Sequence, residues 1–141
     1  MWTPKAWRSQ KAHKGRSGGE AANRCTLGRG QYGLVALRAG RLEAPALEAL
    51  RRAFNRRCKR GGQIWFCVFP HLPRTRKPAE VRMGKGKGAF DRWVAYVKAG
   101  QVLVEMEGLP LDQAKRVAEA LGHRTAVPTR LVHRRRTLPC R

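Results

Sequence analysis

"EAPALEALRRAFNRRCKRGGQIWFCVF", residues 43 to 69, joins two different periodicities across a pair of glycines. In its first part Leu47, Leu50, Phe54 and Cys58 recur at i, i+3, i+7 and i+11, which is one apolar stripe along a helix. Pro45 suits a first helical turn, and Gly61 with Gly62 ends the run. Arg51, Arg52, Arg56 and Lys59 are read as clustering away from the stripe. The spacing thus predicts a helix with one face for a core and one row of cations. "QIWFCVF" (63–69) is then a continuous apolar run with aromatic and β-branched residues, read as a buried strand.

Outward from this pair, "YGLVALRAGRL" (32–42) reads as one strand or two short ones between glycines. Pro70, Pro73 and Pro78 turn "PHLPRTRKPAE" (70–80) into an extended loop. "RWVAYVKAGQVLVEMEG" (92–108) predicts two strands around a turn at Ala99 and Gly100. "LPLDQAKRVAEALG" (109–122) predicts a second helix, with Leu111, Ala114, Val117 and Leu121 on one face and Gly122 at the C′ position. A last strand is expected within 125–133. The order implies an α+β, two-layer domain, with helices on one side of a mostly antiparallel sheet. Its expected organisation is a basic arm over 1–31, a single domain over 32–133 with an extended loop at about 70–92, and a basic tail over 134–141.

Charge narrows the function. Lys and Arg number 31 against 9 Asp and Glu, a formal charge of +22 and a pI near 11.6. Self-repulsion of that size calls for a polyanionic partner, nucleic acid first and an anionic membrane surface second. The charge is uneven: residues 89–121 hold four basic and five acidic side chains, whereas residues 1–42 hold nine basic and one acidic. No apolar stretch approaches the roughly 20 residues of a membrane span. "MWTPKAWRSQKAHKGRSGG" (1–19) is basic without an apolar h-region, so it is expected to be an arm of the mature protein and not a secretory signal.

Several motifs invite enzymatic readings and fail on context. "GRGQYGLV" (28–35) matches G-x-G-x-x-G, but strand-like residues follow it where a dinucleotide-binding fold needs a helix. It is read as a turn entering a strand. "GKGKG" (84–88) lacks the hydroxyl residue that ends a Walker A loop. Cys25, Cys58, Cys67 and Cys140 make no C-x-x-C pair and are expected as free thiols, with no metal and no cofactor. His13, His71, His123 and His133 lie in unrelated contexts, and no catalytic constellation stands out. Trp65 and Trp93 sit in strand patterns and are expected in the core, while Trp2 and Trp7 in the arm are available to stack on bases.

"KAHKGR" (11–16), "RRAFNRRCKRGGQIWFCVFP" (51–70) and "KPAEVRMGKGKGAFDRWVAYV" (77–97), in this order, resemble the bacterial-type ribosomal protein L-sixteen family of the large subunit. The similarity runs from Pro4 to about Val132. It implies a fold of the hammerhead type and no enzymatic activity. It implies binding to large-subunit rRNA between the peptidyl-transferase region and the aminoacyl-tRNA site, beside neighbouring ribosomal proteins. By the resemblance, Arg82, Met83, Gly84, Lys85, Gly86, Lys87 and Gly88 form a loop directed at bound tRNA. Lys11, His13, Lys14 and Arg16 match an rRNA-threading arm, and Arg51, Arg52, Arg56, Lys59 and Arg60 a cationic helix face. Arg134, Arg135 and Arg136 in the tail add expected rRNA contacts. The chain departs from the family pattern at Phe66-Cys67, where relatives alternate a basic residue.

The expectation is therefore an rRNA-binding structural protein that helps position tRNA, with no membrane partner and no homo-oligomer. The alternative is an RNA-binding or chaperone-like module acting away from the ribosome. Arginine outnumbers lysine 22 to 9, and with four Trp and four Cys this favours an organellar, mitochondrial ribosome over a plastid or bacterial one.

Overall fold

The computed structural model describes residues 2–6, 11–59 and 61–134. Along the chain these form β1 (Tyr32–Ala36), β2 (Gly40–Glu43), α1 (Ala44–Cys58), β3 (Gln63–Phe66), β4 (Leu72–Arg76), β5 (Ala89–Val97), β6 (Val102–Glu107), α2 (Leu111–Gly122) and β7 (Thr129–His133). The fold is α+β, and all strand pairs are antiparallel. The strands divide between two sheets: a four-stranded one in the order β3-β6-β1-β7 and a three-stranded one in the order β2-β5-β4.

The division happens at one corner, where the chain passes twice. β1 and β2 belong to different sheets, as do β5 and β6. The two crossings are tied together, because Gly100 N–H donates to Ala36 O (2.8 Å) and Ala36 N–H to Gln101 O (2.9 Å). Gly100 turns with φ 82°, a conformation side chains resist. Both turns were legible as glycine punctuation, but which sheet each strand joins depends on pairing that no local pattern encodes.

The helical stripe holds. Leu47, Leu50 and Phe54 are fully buried and Cys58 nearly so, packed with Leu34 and Ala36 of β1, Leu42 of β2 and Val97 of β5. α1 ends at Lys59 in the left-handed region (φ 45°), and Gly61 N–H closes onto Cys58 O at 2.7 Å. Ala114, Val117 and Leu121 of α2 join the same core. Gly122, expected beyond the helix, is its last residue, and His123 caps it in right-handed geometry. The glycine instead brings the helix end close to β7: a Cβ there would stand 3.2 Å from Thr129 Oγ1.

Two strand expectations need correction. The apolar run 63–69 forms a strand only over Gln63–Phe66, part-exposed because β3 is the edge of its sheet. The proline-rich stretch expected as loop contains β4. Pro73 pairs opposite Trp93 there, tolerated because β4 is also an edge strand and one side of it needs no N–H.

A second, smaller apolar cluster (Leu27, Val35 and Val102) lies apart from the main core. Segment 20–30 reaches it: Ala21 N–H donates to Ala99 O (2.8 Å), Val102 N–H donates to Arg24 O (2.9 Å), and Leu27 is buried. Trp65 and Trp93, expected in the core, are only part-buried. Cys58 and Cys67 are free thiols, but Cys25 is disulfide-bonded, against the expectation of four free thiols. Isolated spacing excludes metal clusters better than it excludes pairing between distant sulfurs.

Candidate nucleic-acid interface

The glycine-lysine loop closes the β4–β5 ladder, whose last pair is Arg76 with Ala89. Gly88 lets the neck shut: a Cβ on it would lie 2.5 Å from Arg76 O and 2.7 Å from that carbonyl carbon. Further out, Gly84, Lys85 and Gly86 take consecutive positive φ of 92°, 52° and 89°. Alternating positive-φ glycines curl the tip and leave its amides and cations outward. Arg82, Met83, Lys85 and Lys87 are exposed, Met83 to 96%.

The loop cations divide by what they touch. Lys77 Nζ donates to Gly84 O and so braces the tip from within. Lys87 Nζ donates to Ala12 O, which ties the loop to the N-terminal arm. Arg82 and Lys85 make no hydrogen bond or ion pair among the described residues.

The arm therefore does not stand away from the domain. Ala12, His13 and Lys14 line a groove of about 440 Å³ with Arg41, Arg74, Tyr96 and Lys87. Arg41 lies over the Tyr96 ring, 5.0 Å from its centroid, and a Cβ on Gly15 would sit 3.3 Å from Tyr96 Cε2. Arg16 borders a neighbouring groove with Tyr96 and Lys98. Lys11 is exposed at the start of this segment. The structure thus brings His13, Lys14 and Lys87 together and adds Arg41, Arg74 and Tyr96. Those three were missed, although strand alternation was a usable signal, since Arg41 and Tyr96 are paired across β2 and β5.

On α1 the row of cations is interrupted. Glu48 accepts from Arg51 Nη2 (2.7 Å) and Arg52 Nε (3.1 Å), and from Trp2 Nε1 (3.1 Å). The hydrogen bonds from Arg51 and Arg52 hold its carboxyl at a pKa of about 2. Arg56 and Lys59 are exposed on the same helix without such a partner among the described residues. Trp2, expected to be available for bases, instead packs edge-on against Phe66 at 4.7 Å. Arg134 is exposed beyond β7, its N–H bonded to Gln31 O. Arg60, Arg135, Arg136 and Trp7 lie outside the described residues.

The G-x-G-x-x-G stretch does hold an anion, but one from the chain itself. The N–H groups of Gly28 (3.2 Å), Arg29 (2.7 Å) and Gly30 (2.8 Å) all donate to the Glu105 carboxylate of β6. Cys67 Sγ–H adds a fourth contact at 3.5 Å. Gly30 and Gly33 sit in tight space as well. A Cβ on Gly30 would meet Met106 O at 2.7 Å, and one on Gly33 would meet Leu27 Cδ2 at 2.2 Å. With its amides occupied, the motif is a clasp between arm and sheet.

Comparison with known proteins bears on what this charged surface serves. The family described as "Ribosomal protein L16p/L10e" matches residues 4–132. The chain belongs to this family. Among its relatives is the "Large ribosomal subunit protein uL16" of Nitrobacter hamburgensis, 46% identical over 134 residues, covering 95% of this chain and 98% of that protein. Those of Rhodospirillum centenum (44%) and Hyphomonas neptunium (45%), carrying the same description, match over 95% of this chain and 95% and 97% of theirs. The L16p/L10e chain is accordingly a structural protein of the large ribosomal subunit and not an enzyme. The relatives are bacterial, so the mitochondrial expectation finds no support in them.

Proposed function

We propose that this protein binds large-subunit rRNA near the peptidyl-transferase region and helps position tRNA at the aminoacyl site. The observation that carries this is the division of labour in the loop. Lys77 and Lys87 are spent on the chain's own carbonyls, while Arg82 and Lys85 stand exposed on the glycine-curled tip. The arm groove and the outer side of α1 offer the remaining cations to rRNA. A-form RNA presents phosphates and shape to such surfaces in preference to readable base edges. Each phosphate neutralised releases counterions, so assembly should weaken with salt.

The arm before segment 20–30 and the tail (134–141) then follow RNA, while the domain, with segment 20–30 clasped onto it, supplies position. We place the protein in a ribosome of bacterial type, with neighbouring large-subunit proteins as partners. The proteins that co-purify in the same particle identify its compartment.

The test separates tRNA contact from assembly. Arg82→Ala with Lys85→Ala is expected to enter large subunits normally and to slow tRNA accommodation several-fold. Should the double variant be absent from subunits while tRNA binding per particle stays normal, the loop is an assembly element. Lys87→Ala is expected to act differently, by loosening the loop from the arm. Limited trypsin digestion should then cut after Arg82 and Lys85 several-fold faster than in the parent. A protein missing from large subunits in a sucrose gradient at moderate salt would favour the extra-ribosomal alternative.

A further inference from the structure

A second surface feature lies away from the loop and arm groove, at the open edge of the four-stranded sheet. β3 is the outermost strand there, and a cleft of about 710 Å³ runs along it. Trp65 stands opposite Glu105 in the β3–β6 pairing, so it shares a face with the Gly28–Gly30 clasp. Arg24 and Arg29, both exposed, form the rim on the clasp side. Phe69, 45% exposed, lies at the far end.

We propose that this cleft holds an unpaired RNA nucleotide, its base stacked on Trp65 and its phosphate held by Arg29 and Arg24. The inference rests on the ribosomal function proposed above and adds a site to it. Three observations favour RNA over an extended peptide. The rim is cationic. The one carboxylate in the lining, Glu105, has its oxygens taken up by Gly28, Arg29, Gly30 and Cys67, so no acceptor is left for a basic peptide. Trp65 is part-exposed and lines the cleft, whereas Trp2 is already committed to Phe66 and Glu48. An aromatic platform beside arginines is the arrangement by which proteins hold single strands without reading sequence. Arg24 is pre-set, since its Nη1 donates to Cys67 O at 2.6 Å and so keeps the guanidinium just past the end of β3.

The experiment is fluorescence anisotropy of fluorescein-labelled hexauridylate with the full chain over a range of salt. Trp65→Leu is expected to bind about tenfold more weakly with an unchanged salt slope, since stacking releases no counterions. Arg29→Ala should instead make the slope of log K against log salt shallower by about 0.7, the value of one single-strand phosphate. Trp65→Phe should recover most of the loss, which keeps the test valid if the leucine variant melts early. Parent-like binding by Trp65→Leu, or no recovery by Trp65→Phe, overturns the proposal. So does a photo-crosslinker attached at Trp65→Cys that captures protein in place of RNA in assembled subunits. If the cleft variants bind hexauridylate like the parent yet the protein still assembles into large subunits, the cleft alone fails and the ribosomal function stands.

Discussion

Glu105→Ala is expected to lower the stability of the isolated protein by about 3 to 5 kcal/mol, because a charge-assisted hydrogen bond contributes about 1.5–3 kcal/mol and stranded donors cost more. Glu105 is 6% exposed and accepts from three successive backbone N–H groups. Removing the carboxylate leaves those amides facing β6 with no acceptor. For a chain of this size that corresponds to a fall of about 10 to 17 °C in melting temperature. Glu105→Gln retains one acceptor oxygen and should lose about half as much. A change below about 1 kcal/mol in Glu105→Ala by urea titration would show that water replaces the carboxylate and that the clasp is incidental.

The same group sets a pH dependence. Burial pushes the Glu105 carboxyl up, but the bonds from Gly30, Arg29 and Gly28 together outweigh it and leave the pKa below its ordinary 4.5. A carboxyl with a lower pKa in the folded state stabilises fully above its unfolded value and loses that contribution as pH falls through the folded one. Stability should therefore decline as pH drops below about 4.5, and the decline should be smaller in Glu105→Gln. Melting curves at several pH values in constant salt report both.

What the sequence made legible, and what it hid, follows from the range of the forces involved. The stripe from Leu47 to Cys58 is set by helical geometry within the segment, so α1 was readable with its buried face. The bracing of Lys87 on Ala12 and the capture of Glu105 by residues 28–30 join positions some 75 apart. Composition cannot register such bonds. The G-x-G-x-x-G stretch shows the consequence: the sequence context spoke against a nucleotide there, but could not show that the anion its amides hold lies far along the chain. Arg51 and Arg52 show the converse. Glu48 is their neighbour at i−3 and i−4, a local pairing that helical spacing does encode and that the reading of a purely cationic row overlooked.

Gly88→Ala is expected to be the most damaging single change in the loop, and for a different reason from its neighbours. Gly84 and Gly86 stand in open space, so alanine there meets no atom and costs only the left-handed backbone strain, about 1–2 kcal/mol. At Gly88 the new methyl would fall 2.5 Å from Arg76 O and 2.9 Å from Lys77 N, both backbone atoms of the facing strand end. Neither can rotate aside, so the neck must open where β4 and β5 cease pairing. Forcing atoms into so tight a space costs about 1–3 kcal/mol, and the displacement carries out to Arg82 and Lys85 at the tip. Gly88→Ala should thus lower the melting temperature by several degrees and slow tRNA accommodation more than Lys87→Ala does. Gly84→Ala should slow accommodation while lowering the melting temperature less than Gly88→Ala does. If Gly88→Ala melts with the parent and accommodates tRNA at the parental rate, the neck is compliant. The aim of the loop is then set by the Lys87–Ala12 tie alone.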